Sequence, residues 1–351
     1  MFIELTTLPP WVRSELFCDI DSQAARYQGY GQEYQQVSPG AFEGRVISFD
    51  FGGDLVVHAE NANQEIAVAA TTPSSRLGLC ILTESSPDCT FNGATLTPDR
   101  VMVCPRENGF VGKTATGFSM YCMDLSCELL VEETDSWSSV DIIHEPRGAR
   151  NLREIVESGL AAFAHLQSVD QYSAATRAFK SSVADALWRI ISRTTAGAAH
   201  RAPQCAQSRT LRLLRLAQEY IDHSLTSGIS VVEVCRHTGT SRRALERMFL
   251  SVLGMGPAAY IRNLQLNRVR RDLLSGEKHR ESIGDIAARY GVWHWSRFSQ
   301  NYQLLFGELP SQTRARHLPA PAAARTDDTP SPHAPRRSAG VPFGNPDVQA
   351  G

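Results

Sequence analysis

The sequence predicts an α+β protein, with a β-rich N-terminal part that ends in helices and an all-helical C-terminal part. A chain of 351 residues is longer than one ordinary core supports, so two folded domains are expected. Positive charge is concentrated in residues 208–317, which hold 17 Lys and Arg against 9 Asp and Glu, whereas the remainder of the chain is net acidic. A basic domain attached to an acidic one suggests a polyanionic partner for the basic domain.

Three features of the composition exclude other classes of protein. No run approaches the roughly 18 consecutive apolar residues of a membrane helix, so a membrane-spanning protein is excluded. The N-terminus lacks a basic segment followed by a long apolar run, so no secretory signal is expected. The eight cysteines form no CxxC pair and no Cys/His metal pattern. In a chain of this length they indicate reduced thiols, no bound metal and a cytoplasmic location.

Short apolar runs bounded by turn residues characterise residues 1–135. The runs lie at 44–49, 54–58, 65–70, 77–82 and 100–104, and Gly, Pro, Asn and Asp separate them. Runs of this length at short intervals predict a β-sandwich or barrel.

Helical periodicity replaces this pattern between residues 147 and 194. Apolar residues recur at helical spacing, first Leu152, Ile155, Val156, Leu160 and Phe163, then Phe179, Val183, Leu187 and either Ile190 or Ile191. We therefore predict a domain of residues 1–195, a linker of residues 196–208, a second domain of residues 209–317 and a tail of residues 318–351. The tail holds seven of the chain's 18 prolines and almost no large apolar residues, so we expect it to be disordered.

The second domain contains an internal repeat. Residues 230–239 match residues 282–291 at an offset of 52, and after the glycine the offset becomes 53. The later matched pairs are Leu245 with Phe298, Phe249 with Tyr302, Gly254 with Gly307, and Pro257 with Pro310. Two copies of about 28 residues are too few for a solenoid.

Each copy has the pattern of a helix-turn-helix. Ser230 with Glu233, and Ser282 with Asp285, form capping boxes that begin a short helix. Val231, Val234 and Cys235 in the first copy, and Ile283, Ile286 and Ala287 in the second, are expected to point inward. Gly239 and Gly291 end these helices, where a positive φ favours glycine. A second amphipathic helix follows at once in each copy.

The second helix of each copy carries the predicted DNA-binding residues. In residues 242–253, an apolar stripe of Leu245, Met248, Phe249 and Val252 must face the core, so Arg242, Arg243, Glu246 and Arg247 lie on the opposite face. In residues 295–306, Phe298, Tyr302 and Phe306 form the stripe, and the outer side offers Trp295, Ser296, Arg297 and Gln300 together with Ser299 and Gln303. An exposed arginine on a helix is usually only a solvated residue, and Trp293 and Trp295 could equally be packing residues. Two copies with equivalent outer faces in a basic domain favour DNA contact.

A long helix over residues 257–274 is predicted to connect the two copies. Pro257 lies in its first turn. Its apolar residues face the domain, and Arg262, Arg268, Arg270 and Arg271 are placed along its flanks. A rigid connector would fix the spacing of the two reading helices, which must be about 34 Å apart to enter successive major grooves of straight DNA.

These motifs resemble the DNA-binding domain of the AraC/XylS family of bacterial transcription regulators. The resemblance covers residues 210–312 and includes Gly256-Pro257, Tyr260-Ile-Arg262, Phe306-Gly307 and Pro310-Ser311. It implies that Arg243, Glu246 and Arg247 read bases from the first helix, and Trp295, Ser296 and Gln300 from the second. Many relatives carry arginine at the position of Gln300, so this departure favours phosphate contacts for the second helix.

The resemblance also implies a cupin-like N-terminal domain that binds an effector and helps the protein to dimerise. Residues 291–306 and 38–44 are in addition similar to the branch of the family that activates ethanolamine-utilisation operons. His58 with Glu60 is the nearest approach to a cupin metal motif, but the further histidines are absent, so a structural or surface histidine is expected and not a metal ligand. No phosphate-binding loop, GxSxG motif or Cys/His nucleophile pair is present, so we expect no catalytic residues and no cofactor.

The sequence therefore predicts a sequence-specific, DNA-binding transcription regulator, an effector-responsive activator of a metabolic operon and not an enzyme. Its expected partners are double-stranded DNA, RNA polymerase, a small-molecule effector whose identity and binding residues are unknown, and a second copy of the chain in a homodimer; no membrane is expected. Two alternatives remain open, which are an enzyme with an accessory DNA-binding domain and an effector-independent DNA-binding protein.

Overall fold

The computed structural model describes residues 8–27, 29–104, 109–129, 141–166, 168–196, 204–275 and 281–316. Twelve strands lie in the described part of its N-terminal half. They are β1 (Val12–Phe17), β2 (Glu33–Gln36), β3 (Gly44–Asp50), β4 (Leu55–Ala62), β5 (Ile66–Thr71), β6 (Arg76–Leu82), β7 (Cys89–Phe91), β8 (Ala94–Leu96), β9 (Arg100–Cys104), β10 (Gly109–Lys113), β11 (Ser119–Ser126) and β12 (Asp141–His144). Each of the five predicted apolar runs falls on a strand.

The strands form two antiparallel sheets. One has the order β1-β3-β4-β11-β6-β9-β12, and the other has the order β2-β5-β10-β7-β8. Strands β4 to β11 are distributed as β4-β11-β6-β9 in the first sheet and β5-β10-β7-β8 in the second, which is the jelly-roll arrangement also found in cupins. In the centre of the first sheet, Cys122 of β11 lies opposite His58 of β4 on one side and Cys80 of β6 on the other.

The seven-stranded sheet is covered on both faces. On its outer face Leu79 and Ile81 pack against Leu152 and Val156, whereas on its inner face Leu82 packs in a separate cluster between the sheets. Burial of both faces explains why β6 is an almost continuous apolar run and not an alternating one.

The ten helices of the described residues are α1 (Ile20–Ala24), α2 (Pro146–Phe163), α3 (Val169–Ala196), α4 (Gln204–Ser224), α5 (Val231–Thr238), α6 (Arg242–Leu253), α7 (Pro257–Leu274), α8 (Ile283–Arg289), α9 (Trp295–Phe306) and α10 (Pro310–Ala315). Helices α2 and α3 cover the outer face of the seven-stranded sheet. Of the two alternatives for the α3 stripe, Ile190 is buried. The predicted fold class, β-rich and then helical in an α+β protein, is confirmed.

Helix α7 is shared between two cores in the C-terminal half. Tyr260, Ile261 and Leu264, from its first half, pack with α4, α5 and α6. Leu266, Val269 and Leu273, from its second half, pack with α8 and α9. The connector is therefore a structural part of both helical units.

The predicted domain boundaries remain predictions. The described residues up to Arg316 belong to one compact unit. Of the predicted linker, residues 197–203 lie outside the described residues, and Gln204 already begins α4. The predicted tail, residues 318–351, also lies outside them.

Candidate nucleic-acid interface

The predicted capping box is complete in the first repeat and only partly formed in the second. The Ser230 hydroxyl accepts a hydrogen bond from Glu233 N at 3.3 Å, and Glu233 Oε2 accepts one from Ser230 N at 2.8 Å. In the second copy, Ser282 Oγ accepts from Asp285 N at 3.0 Å, but the Asp285 carboxylate accepts from the Ser282 hydroxyl at 2.7 Å. Aspartate is one methylene shorter than glutamate and bonds the hydroxyl in place of the backbone N–H. Both caps fix where α5 and α8 start.

Left-handed glycines make the turns that follow. Gly239 has φ 63° and Gly291 has φ 74°, so each turn uses a backbone conformation that favours glycine. Ile286 and Ala287 are fully buried in the second copy, and Val234 is fully buried in the first. Cys235 is only half-buried, although it packs against the same core.

Helix α6 presents its predicted polar residues to solvent. Leu245, Met248, Phe249 and Val252 are all buried on one side. Arg242, Arg243, Glu246 and Arg247 are all exposed on the other side. The Glu246 carboxylate lies beside Gly256, where a Cβ atom would be only 2.4 Å from Glu246 Oε1. Gly256 is the N-cap residue of α7, so this carboxylate lies near the positive end of that helix.

Helix α9 repeats this arrangement with aromatic residues. Phe298, Tyr302 and Phe306 are buried, and Trp295, Ser296, Arg297 and Gln300 are exposed. One edge of the Trp295 ring lies on α8, where a Cβ atom at Gly284 would be 2.5 Å from it. The remainder of the ring faces solvent, so Trp295 is 49% exposed. Trp293 is 70% exposed. Trp295 therefore fits both possibilities considered from the sequence. One edge of its ring packs on α8, and the other edge faces solvent.

The predicted position of Arg270 on the flank of the connector is wrong. Arg270 is only 4% exposed; its Nη1 donates to Glu308 Oε1 at 2.6 Å, and its guanidinium lies 4.7 Å from the centre of the Phe306 ring. Leu266, Arg270 and Leu273 lie on one side of α7, and this spacing could have revealed the buried position. Arg270 therefore links the residues at the end of α9 to the connector and is almost fully shielded from solvent.

Two other arginines of the connector α7 also form ion pairs or hydrogen bonds with acidic residues. Arg271 Nε donates to Asp21 Oδ1 at 3.0 Å, and Arg268 forms an ion pair with Asp222. Neighbouring Asn267 bonds both backbone groups of Gln36, with Oδ1 accepting from Gln36 N at 3.0 Å and Nδ2 donating to Gln36 O at 3.1 Å. The side of α7 that carries these residues thus packs on β2 and α1.

A polar cluster lies between the two sheets of the jelly roll. The Glu60 carboxylate accepts hydrogen bonds from Gln23 Nε2 at 2.7 Å, Tyr27 Oη at 2.5 Å and Tyr34 Oη at 3.0 Å. Burial raises the pKa of Glu60 despite these bonds. Gln23 Oε1 is buried without a hydrogen-bond partner among the described residues. Sequence reasoning singled out Glu60 but not the residues around it, because they come from distant segments.

Of the two alternatives for His58, a structural or a surface histidine, the structure shows the first, because the side chain is buried. Its Nδ1 lies 2.8 Å from Ser48 Oγ. Burial, and then the nearby Arg26 guanidinium, lower the pKa of His58 to about 4 against a weaker opposing effect of Asp124. No group of three potential metal ligands occurs within the part of the chain that the structure describes. Over the same residues, no helix is long and apolar enough to cross a membrane.

The C-terminal part of the chain is similar to known proteins. Residues 234–316 match the family model described as "Helix-turn-helix domain". These residues are therefore similar to known helix-turn-helix domains. This segment contains most of the first repeat, the whole of α7 and the whole of the second repeat, so it includes all eight predicted DNA-binding residues.

Relatives of the helix-turn-helix domain occur in several bacteria. The chain is 34% identical over 116 residues to "Regulatory protein HrpB" of Ralstonia nicotianae, which covers 33% of this chain and 24% of that protein. It is 37% identical over 95 residues to the "XylDLEGF operon transcriptional activator" of Pseudomonas putida, which covers 27% of this chain and 30% of that one. A transcriptional regulator structure from Chromobacterium violaceum is 30% identical and covers 31% of this chain and 94% of that one, at a TM-score of 0.29. The chain therefore spans a quarter to a third of these curated relatives.

Proposed function

We propose that this protein is a sequence-specific DNA-binding transcription regulator. The supporting observation is that both repeats expose equivalent polar faces, on α6 and α9, while one connector helix belongs to both cores. A helix-turn-helix binds DNA by placing its second helix in the major groove, with the N-terminal residues at base edges. Two such helices held by α7 would occupy successive grooves on one side of the duplex.

The exposed residues of α6 are suited to base recognition. Arg243 and Arg247 lie one turn apart, and a guanidinium can bond guanine O6 and N7 together. Glu246 is an acceptor suited to the cytosine amino group. Arg242, at the start of the helix, is in a position suited to a phosphate.

The exposed residues of α9 are suited to a different mixture of contacts. Ser296 and Gln300 can bond bases or phosphates, and Arg297 can neutralise a phosphate. The exposed edge of Trp295 offers an apolar surface such as a thymine methyl group prefers. The first helix would therefore contribute more of the sequence preference, and the second more of the general affinity.

The jelly roll is the proposed sensor. Its buried cluster around Glu60 includes Gln23 Oε1, which has no hydrogen-bond partner in the part of the chain that the structure describes, and so has the polar groups that a small polar effector would need. Contacts such as Asn267 with Gln36 connect this domain to α7, so an effector that shifts these contacts would change operator affinity by linkage. We further propose that the protein works in the cytoplasm as an activator that contacts RNA polymerase.

Substitutions in α6 test the proposal. Operator sites would first be selected from random duplexes with the full chain, and affinities would then be measured by fluorescence anisotropy at fixed salt. Replacement of Arg243 or Arg247 by alanine should cost about 1–3 kcal/mol on the selected site and relax the preference at one base pair. Arg177→Ala on the exposed side of α3 is the matched control. Equal losses on selected and random DNA would show phosphate contacts instead.

A ligand screen by thermal shift on the full chain tests the sensor. Ethanolamine belongs in this screen because of the short sequence similarity described above. A ligand that raises the unfolding temperature of the wild type but not of Glu60→Gln would support binding in the jelly roll. A ligand that stabilises both proteins equally would place the binding site elsewhere.

A further inference from the structure

Strand β1 lies at the edge of the seven-stranded sheet, and no other strand of the described residues pairs with its outer side. In the described sheet, β3 is its neighbour on one side and no strand follows on the other. Asp50 N donates to Trp11 O at 3.2 Å, so Trp11, and with it Arg13 and Glu15, directs backbone groups toward β3. Ser14 and Leu16, at the alternate positions, direct theirs outward. A free edge of this kind is a template for another strand.

The sequence of β1 is complementary to itself when reversed. If two copies pair antiparallel about Ser14, Arg13 of each copy lies opposite the partner's Glu15, and Val12 lies opposite the partner's Leu16. Within one copy, Glu15 Oε2 already lies 3.1 Å from Arg26 Nε, and Glu15 Oε1 lies 4.0 Å from Arg13 Nε. The pairing would therefore exchange the long contact with Arg13 of the same copy for one with the partner's Arg13, while the contact with Arg26 is kept. Opposite charges and apolar pairs at facing positions both stabilise an antiparallel pair. Leu16 is 73% exposed, which is unusual for a leucine in a strand, and this pairing would cover it. The pattern therefore favours a second copy of this chain over an unrelated strand.

The backbone supports the same register. Ser14 N–H could donate to the C=O of the partner's Ser14, and Leu16 N–H to the C=O of the partner's Val12, with two symmetric bonds in return. Val12 N already donates to Pro9 O at 2.9 Å, so it is not available to donate to the partner, and the hydrogen-bonded pairing ends at Val12. Arg13 and Glu15 fall at the intervening positions, where facing side chains approach most closely.

We propose that two copies of this protein associate through β1, antiparallel about Ser14, and join their seven-stranded sheets into one. Val12, Ser14 and Leu16 also line an open groove of about 1230 Å³ on the outer face of the sheet. In the dimer, the grooves of the two copies meet at the new strand pair. A two-fold dimer would present two helix-turn-helix domains to a DNA site with two-fold symmetry, an extension that rests on the proposed function.

Charge exchange in the full chain tests the pairing. R13E places two carboxylates opposite each other, and E15R places two guanidinium groups opposite each other, so each variant alone should raise the dimer dissociation constant on the order of tenfold. E15R also removes the ion pair of Glu15 with Arg26 in the same copy, so its fold is checked by circular dichroism and R13E is the cleaner single variant. An equimolar mixture of the two variants should restore the dimer, because each mixed pair is again of opposite charge. Sedimentation velocity over about 1–100 µM protein measures both effects. R177E on α3 makes the same charge change away from β1 and should leave the dimer unchanged.

Ser14→Pro tests the backbone contact. It removes an N–H that faces the free edge and none that faces β3, so it should fold, with an unchanged circular dichroism spectrum, and should be monomeric. Ser14→Ala keeps the N–H and should dimerise like the wild type. If S14P does not fold, the mixture of R13E and E15R tests the proposal without it. The proposal then requires the mixture to recover the dimer affinity that each single variant loses.

Three results would overturn the proposal: a wild-type protein that stays monomeric throughout the concentration range, a dimer that R13E and S14P leave unchanged, or a mixture that fails to reassociate. None of these measurements uses DNA. A failure here would therefore leave the DNA-binding proposal standing, and a failure of DNA binding would leave this one standing.

Discussion

Acidification should destabilise the protein through His58, and the size of the effect follows from its environment. The side chain is buried beside Ser48 and near Arg26, and its pKa is lowered from 6.5 to about 4. Between these two values the unfolded chain binds a proton that the folded chain does not. The stability contributed by neutral His58 is therefore complete above pH 6.5 and is lost as the pH falls toward 4.

The expected loss can be worked out for an accessible pH. A full difference of about 2.5 pKa units corresponds to roughly 3.4 kcal/mol, and at pH 5 about 2 kcal/mol of this should already be lost. Urea unfolding followed by circular dichroism at pH 7.5 and pH 5 measures the free energy of unfolding at each. His58→Gln, which cannot take up the proton, should lose about 2 kcal/mol less than the wild type over this interval.

Ser48→Ala is the matched control for this measurement. It removes the hydroxyl 2.8 Å from His58 Nδ1 but keeps the titrating group. It should lower stability at both pH values while keeping most of the pH dependence. If the wild type and His58→Gln lose equal stability on acidification, His58 is not held neutral and the reasoning fails.

Three further predictions concern the helix-turn-helix domain. Arg270→Ala should destabilise the protein by about 2 kcal/mol in urea unfolding, because it removes a buried side chain that lies on the Phe306 ring and bonds Glu308, although Glu308 keeps its contacts with Arg316 and Thr313; a loss below about 1 kcal/mol would contradict this. Gly239→Ala should cost about 1 kcal/mol at its left-handed φ, measured in the same way, and an unchanged stability would argue against the turn. Gly284→Ala should displace the Trp295 ring and shift the tryptophan emission spectrum, whereas an unchanged spectrum would mean that the ring does not lie on α8.

The helix-turn-helix units were the most predictable part of the molecule, because local signals determine them. Ser230 and Gly239 bound α5, and the interval from Pro257 to Leu274 matches α7. Apolar spacing correctly identified the buried side of α6 and α9. The exposure of the eight candidate residues follows from that spacing, whereas their contacts with DNA remain predictions.

Contacts between distant segments were not predictable from one sequence. The bonds between Gln36 and Asn267 join residues 231 positions apart. The buried state of Arg270 depends on Glu308 and Phe306, which approach it only after α9 has packed. Short apolar runs predicted the strands, but nothing in them specified that β11 lies between β4 and β6.

The shared helix α7 has a consequence for how this domain can be divided. A fragment that ends anywhere inside α7 would leave part of an apolar surface in water, either around Leu264 or around Val269. The smallest piece that can be excised or grafted onto another protein is therefore the double unit. Recombination or engineering that exchanges only α6 or only α9 would have to keep the whole of α7.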